Sequence, residues 1–155
     1  MIADALRNTR HHTIRSMIAD ALRKWQYEVH EEVHGISQDG SCRRFDIIAI
    51  TPGSSTGFII DPTIRNESHK EQPEEVHSEK CRIYDPTIRF YSEKYGLTSI
   101  TVIGLMVGAR GTIPQLFVKF CRQFHLHNDF IYNISLAAIR GSLAILRNHL
   151  YSTNN

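Results

Sequence analysis

The stretch RRFDIIAITPGSSTGFIIDPTIR, residues 43–65, constrains this chain most. Two apolar runs, 45–50 and 58–60, flank TPGSST, whose Pro, Gly and Ser residues favour a turn. A hairpin with Ile50 opposite Gly57 sets Ile48 against Ile59 and Asp46 against Asp61. Side chains alternate along a strand, so both aspartates then share one face with those apolar residues. Opposed like charges cost roughly 0.2–1 kcal/mol when exposed, and burial makes this worse. A divalent cation would reverse the sign, because Mg²⁺ prefers carboxylate oxygens. The competing reading is a register shifted by one residue, or two acids at solvated strand ends. The residues alone leave both open.

Composition bounds the rest. The 155 residues are 41% apolar and 22% charged, which fits one globular domain and argues against disorder. A formal charge of +2 with nine histidines is mildly basic and does not by itself point to nucleic acid. Cys42, Cys81 and Cys121 are far apart and have no zinc-finger spacing, so reduced thiols in an intracellular protein are expected. No stretch reads as long and apolar enough to span a membrane, and MIADALRNTRHH lacks the apolar segment of a signal peptide. The heptapeptide MIADALR at 1–7 recurs at 17–23, and DPTIR at 61–65 recurs at 85–89. No physical need for the first duplication is evident, and residues 1–9 are expected to add only a frayed extra turn.

Residues 11–26 read as the first firm helix. Ile14, Met17, Ile18, Ala21, Leu22 and Trp25 fall on one face, with Asn8 or Thr9 as its cap. Arg10, His11, His12 and Arg15 cluster at its start, where a helix N-terminus can reach phosphates. A solvated basic face is the plainer alternative. Residues 27–33 alternate as a strand that groups Glu31 with Tyr27, Val29 and Val33. Glu31 is then either a third acid for a metal site or a solvated strand-end residue. Gly35 and a polar loop end that strand. Arg43 and Arg44 precede the hairpin and are candidates to touch a nucleic-acid backbone.

A second helix is expected after Pro73, with Val76, Lys80, Ile83 and Tyr84 within about a third of a turn. Lys80 thus lies inside the apolar face and either snorkels to water or points at a site. Pro86 breaks or kinks this helix, and helical character resumes up to Gly96. Residues 98–107 suit a central strand buried on both faces. Thr112 is expected to cap the next helix, with Pro114 in its first turn and Leu116, Phe117, Phe120, Cys121 and Phe124 as its apolar face. Arg110, in the turn before it, is a candidate phosphate contact on a weak motif. A last helix from about 131 to 150 carries Ile134, Ala138, Gly141 and Ile145 along one stripe, with close packing at Gly141.

This order predicts an α/β (α+β) fold. Three antiparallel strands form a meander, a crossover helix follows, and a fourth strand adds in parallel. The mixed sheet is flanked by helices and followed by a C-terminal helix. With Asp46, Asp61 and Lys80, the order resembles the restriction-endonuclease-like PD-(D/E)xK nuclease core. RHH at 10–12, RRFDI at 43–47, IIDPTIR at 59–65, EK and then IY within 79–84, and GLMVGARGTIP at 104–114 resemble one group more closely. This is the C-terminal endonuclease domain of early-branching non-LTR retrotransposon polyproteins. The resemblance covers residues 10–151, leaving 1–9 as a duplicated extension and 152–155 as a tail.

The resemblance implies a nuclear, Mg²⁺- (or Mn²⁺-) dependent DNA endonuclease whose nick primes reverse transcription, with DNA and no membrane as partner. It implies Asp46 as the first metal-binding aspartate, Asp61 as the second acid and the Pro62 carbonyl as a further ligand. Ordinary PD-(D/E)xK enzymes carry the lysine two residues after the second acid, where this chain has Thr63. The retrotransposon group is similar to this chain in moving it to the following helix, which makes Lys80 the match and Tyr84 a tyrosine one turn on. Arg10, His11, Arg15, Arg43, Arg44 and Arg110 are the implied DNA contacts. Phe45 stands where many relatives have Pro or Ile. The family's reverse transcriptase and zinc knuckle are missing, so the chain is expected to be a fragment, a separate reading frame or a remnant of a protein once fused to a reverse transcriptase. The rival readings are a catalytically inactive nucleic-acid-binding remnant and an unrelated α/β interaction module. The latter predicts Asp46 and Asp61 on different faces.

Overall fold

The computed structural model describes residues 1–152. Its first element, α1 (Ile2–Lys24), takes in both copies of the heptapeptide except Met1, which precedes its first turn. Neither Gly nor Pro interrupts this stretch, so nothing stops the helix between the copies. Residues 2–9 are therefore its first turns and not a frayed addition. Asn8 and Thr9 lie within the helix rather than capping it, and Thr9 Oγ1 donates to the Ala5 carbonyl at 2.9 Å. The buried residues are Ile14, Arg15, Ile18, Ala19 and Leu22. Trp25, expected on the core face, lies just past the helix and is 47% exposed.

The strands follow as β1 (Glu28–Glu31), β2 (His34–Ile36), β3 (Cys42–Arg44), β4 (Ile47–Ile50) and β5 (Thr56–Arg65). Then come α2 (Gln72–Tyr84), a 3-10 turn at Asp85–Thr87, α3 (Ile88–Tyr95), β6 (Ser99–Gly108), α4 (Gln115–Gln123) and α5 (Asn128–Ser152). The main sheet has the order β1-β4-β5-β6. Its first two pairs are antiparallel and β5 runs parallel to β6, as the meander and crossover predict. The β4–β5 register is the expected one, with Ile50 opposite Gly57 and Ile48 opposite Ile59.

Three expectations about strands need correction. The strand predicted over 27–33 is shorter, because the chain turns at Glu32, which has a φ of 54°. The predicted polar loop is partly a two-stranded ribbon, β2 against β3. Gly35 is required there because the Tyr91 ring occupies the place of its side chain, and the Tyr91 hydroxyl donates to the Val33 carbonyl at 3.2 Å. Finally, β6 lies at the edge of the sheet and not at its centre. Its C-terminal half is buried nonetheless, because helices cover both faces.

Alternation along the strands feeds two apolar layers. Ile47, Ile60, Leu105 and Val107 join Ile14, Ile18, Leu22, Phe117 and Phe120 beneath α1, α4 and α5. Ile48, Ile59 and Val102 join Phe45, Tyr84 and Tyr91 beneath α2 and α3. Thr112 does not cap α4, which begins after Pro114; the Thr112 carbonyl instead accepts from Gly108 N at 2.8 Å. Gly141 permits the close packing expected of it, since a Cβ there would lie 2.5 Å from Arg10 Cγ. The 25-residue α5 is long and apolar enough to cross a membrane, contrary to the sequence reading. In this fold its buried residues, Ile134 and Ala138, belong to the core beneath α1. Of the predicted tail, residues 153–155 lie outside the described residues.

Candidate active site

Asp46 and Asp61 meet at the open end of the β4–β5 pair, in a cleft of about 390 Å³ that Pro62, Lys80 and His11 also line. The ladder ends with Ile47 opposite Ile60, so Asp46 and Asp61 are the next residues on each strand, where no pairing continues. Pro62, which lacks an N–H, is tolerated in β5 because β4 has already ended there. Asp61 falls on the Ile59 side of the strand, towards α2, and is only 3% exposed. Lys80 Nζ lies 3.2 Å from its Oδ1, and Thr63 Oγ1 donates to the same oxygen at 3.2 Å. The Tyr84 hydroxyl lies 2.9 Å from Oδ2 and 3.0 Å from the Arg44 carbonyl, so two acceptors compete for its proton.

Lys80 therefore points into the site rather than out to water. Gly104 of β6 allows this, since a Cβ there would lie 2.8 Å from His77 Cα and 2.9 Å from Lys80 Cβ. The absent side chain lets α2 rest directly on the strand and brings Lys80 within reach of Asp61.

The electrostatics of the cleft are those of two acids held together. Burial, and next the charge of Asp46, push Asp61 above the usual carboxylate range, although Lys80 and Tyr84 favour its ionised form. Burial, and next the Asp61 carboxylate, push the Tyr84 phenol up, so it stays a neutral donor at ordinary pH. On the other side, His11 Nε2 lies 2.9 Å from Asp46 Oδ2, and that hydrogen bond raises the imidazole pKa against the effect of burial. A divalent cation fits this donor set, because it would relieve the repulsion that now opposes ionisation of Asp61. Among the described residues, no group of three or more His, Cys, Asp or Glu side chains is arranged to hold a metal. The set is two carboxylates and the Pro62 carbonyl, which leaves the other positions to water and phosphate oxygens, as Mg²⁺ tolerates.

The other predicted residues divide. Glu31 is neither a third acid nor a solvated strand end. Its carboxylate pairs with Arg15 Nε at 3.2 Å and with Arg23 at 3.0 Å, on the α1 side of the sheet. Arg15 is correspondingly withdrawn from any nucleic-acid surface, with a side chain 9% exposed and a second pairing to Glu32 at 2.7 Å. Arg10, His11 and Arg15 lie mid-helix, so the expected help from a helix N-terminus is absent. Arg43 and Arg44 are exposed on β3, Arg44 at 3.8 Å from Glu32. Arg110 is held by Glu67, whose carboxylate accepts from its backbone N and from Nε, each at 3.1 Å. Sequence reasoning missed Arg7, which lines the cleft because α1 begins earlier than expected. The uninterrupted run from residue 2 was the available signal. Both aspartates line one cleft, which the interaction-module reading did not expect. Comparison of the chain with family models gives no match, and comparison with curated proteins gives none either.

Proposed function

We propose that this chain is a metal-dependent DNA endonuclease domain of the restriction-endonuclease-like type, of the kind found in non-LTR retrotransposons. The observation that carries this reading is the convergence of Asp46, Asp61 and Lys80 on one cleft, with the lysine 3.2 Å from Asp61 although it comes from the next helix. The antiparallel meander with a parallel fourth strand, and the acids at its open end, support the same reading.

Asp46, Asp61 and the Pro62 carbonyl would hold Mg²⁺ or Mn²⁺. When bound, such an ion polarises a phosphate and lowers the pKa of water. Tyr84 and Thr63 fix the plane of the Asp61 carboxylate, and His11 holds that of Asp46. Lys80, beside Asp61, would orient the attacking water and offset negative charge that builds on the phosphate.

The test is nicking of supercoiled plasmid with Mg²⁺ or Mn²⁺, beside EDTA and Asp61→Ala controls. Nicking that both controls abolish is the expected result; nicking that survives Asp61→Ala overturns the site. One observation favours a second reading, an inactive nucleic-acid-binding remnant: the acids already have internal partners in Lys80 and His11, and among the described residues no third acidic ligand stands by. DNA binding without nicking by the intact chain would select it.

A further inference from the structure

Beside the carboxylate cleft lies a second pocket of about 450 Å³, between α1, α5 and the β6–α4 turn. The two hollows share Arg7 and Arg10 as a common wall. Arg10 crosses α5 at Gly141 and donates from one terminal nitrogen to Ser142 Oγ at 2.9 Å. Its Nε is buried and has no hydrogen-bond partner. Sealed from solvent, Nε fixes the guanidinium on the shared wall, and an acceptor entering from the pocket could meet only its terminal nitrogens.

A second observation points to the sign of that acceptor. Arg7 stands one helical turn from Arg10, and burial together with the Arg7 charge lowers the Arg10 pKa. Crowded guanidinium groups are relieved by an anion, and their forked N–H groups match phosphate oxygens. Among the described residues Arg7 pairs only locally, with Asp4 of its own helix at 2.9 Å, and its side chain is 59% exposed. Such an exposed pair is weak enough to yield to a phosphate. Arg110, on the far wall, is paired with Glu67 and adds field rather than a free donor.

We propose that Arg7 and Arg10 hold a backbone phosphate of the DNA strand that enters the Asp46–Asp61 cleft, fixing a phosphate beside the scissile one. The proposal rests on the nuclease reading for the identity of that strand. It also gives the duplicated heptapeptide a use. Arg23, the counterpart of Arg7 in the second copy, is committed to Asp20 and Glu31. Only the first copy supplies an arginine to the pocket.

The experiment is equilibrium binding of a labelled DNA duplex across a salt series, with plasmid nicking measured on the same preparations. Arg7→Gln is compared with Arg89→Gln, which removes the same charge from an exposed position on α3, beneath the opposite face of the sheet. Arg7→Gln should weaken binding at low salt by about three- to tenfold. It should also reduce the slope of log affinity against log salt by about 0.9, the value for one lost phosphate contact, while Arg89→Gln leaves both unchanged. If the two variants behave alike while the wild type nicks DNA, the pocket is wrong and the nuclease reading stands. If Arg7→Gln alone loses affinity but the wild type never nicks, the phosphate site stands and the nuclease reading falls. A wild type that neither binds nor nicks overturns both.

Discussion

Asp61 is held where burial and the Asp46 charge both oppose its ionisation. A carboxyl whose folded pKa is raised stabilises the fold below its unfolded value, ordinarily 3.8, and that contribution is lost as pH rises through the folded value. The metal-free protein should therefore lose stability as pH rises through this window, and Mg²⁺ should restore it. Asp61→Asn should remove metal-dependent nicking and leave the metal-free melting temperature at neutral pH equal or higher. A fall of several degrees would mean that the Lys80 pairing outweighs the desolvation. Tyr84→Phe leaves the Arg44 carbonyl and Asp61 Oδ2 without their shared donor, and should cost about 1–2 kcal/mol in urea denaturation. At this scale the acids were half legible: a period of two and a turn of known chemistry offered the register that sets Asp46 against Asp61, but a slip of one residue stayed open until the ladder showed Ile47 opposite Ile60. Glu31 and Arg15 were not, because the alternation of a short strand does not say which helix will cover a given face.

Two glycines mark the closest packing of helices on their neighbours. Gly104→Ala would press on the backbone of α2, so it should cost about 1–3 kcal/mol and reduce nicking more than DNA binding, by moving Lys80. Gly141→Ala would place its Cβ 2.8 Å from Arg10 Cβ, the root of that side chain on α1, so the clash offsets the gain in helix propensity and it should also cost stability, though less than Gly104→Ala, which meets backbone. Thermal melts that rank the two the other way would undo this account of the α2–β6 packing. The β6–α4 turn offers a pH test of opposite sign to that of Asp61. Burial raises the pKa of Glu67, but hydrogen bonds from its own backbone, Arg110 and Thr112 outweigh it and bring it from 4.5 to about 2. A depressed carboxyl contributes stability above its unfolded value, and this is lost as pH falls towards about 2. Glu67→Gln should therefore flatten stability on the acid side, as measured by melting between pH 5 and the acid limit. Element identity was only partly legible. DPTIR is the end of a strand at 61–65 but spans a 3-10 turn and the start of a helix at 85–89. The same five residues take whichever form their surroundings bury: beside β6 in one case, after the last turn of α2 in the other.

Across the whole molecule, the site is assembled from both layers of the core. His11 reaches Asp46 from α1 on one side of the sheet, and Lys80 and Tyr84 reach Asp61 from α2 on the other. The sequence of elements made this topology legible, because a three-strand meander followed by a crossover has few ways to close. The ribbon inserted before β4 was invisible, because three-residue strands carry too little alternation to read. The length of α1 was hidden by its own repetition, whose first copy read as no more than a frayed extra turn. That repetition has a further consequence. Copies sixteen residues apart sit about 160° around the helix from one another. Ile18 is wholly buried while its twin Ile2 is 63% exposed, and Leu22 is wholly buried while Leu6 is not. One heptapeptide thus experiences two regimes of selection within a single helix. The exposed apolar positions of the first copy should tolerate changes that the buried positions of the second do not. A saturation-mutagenesis map should show identical residues with opposite tolerance.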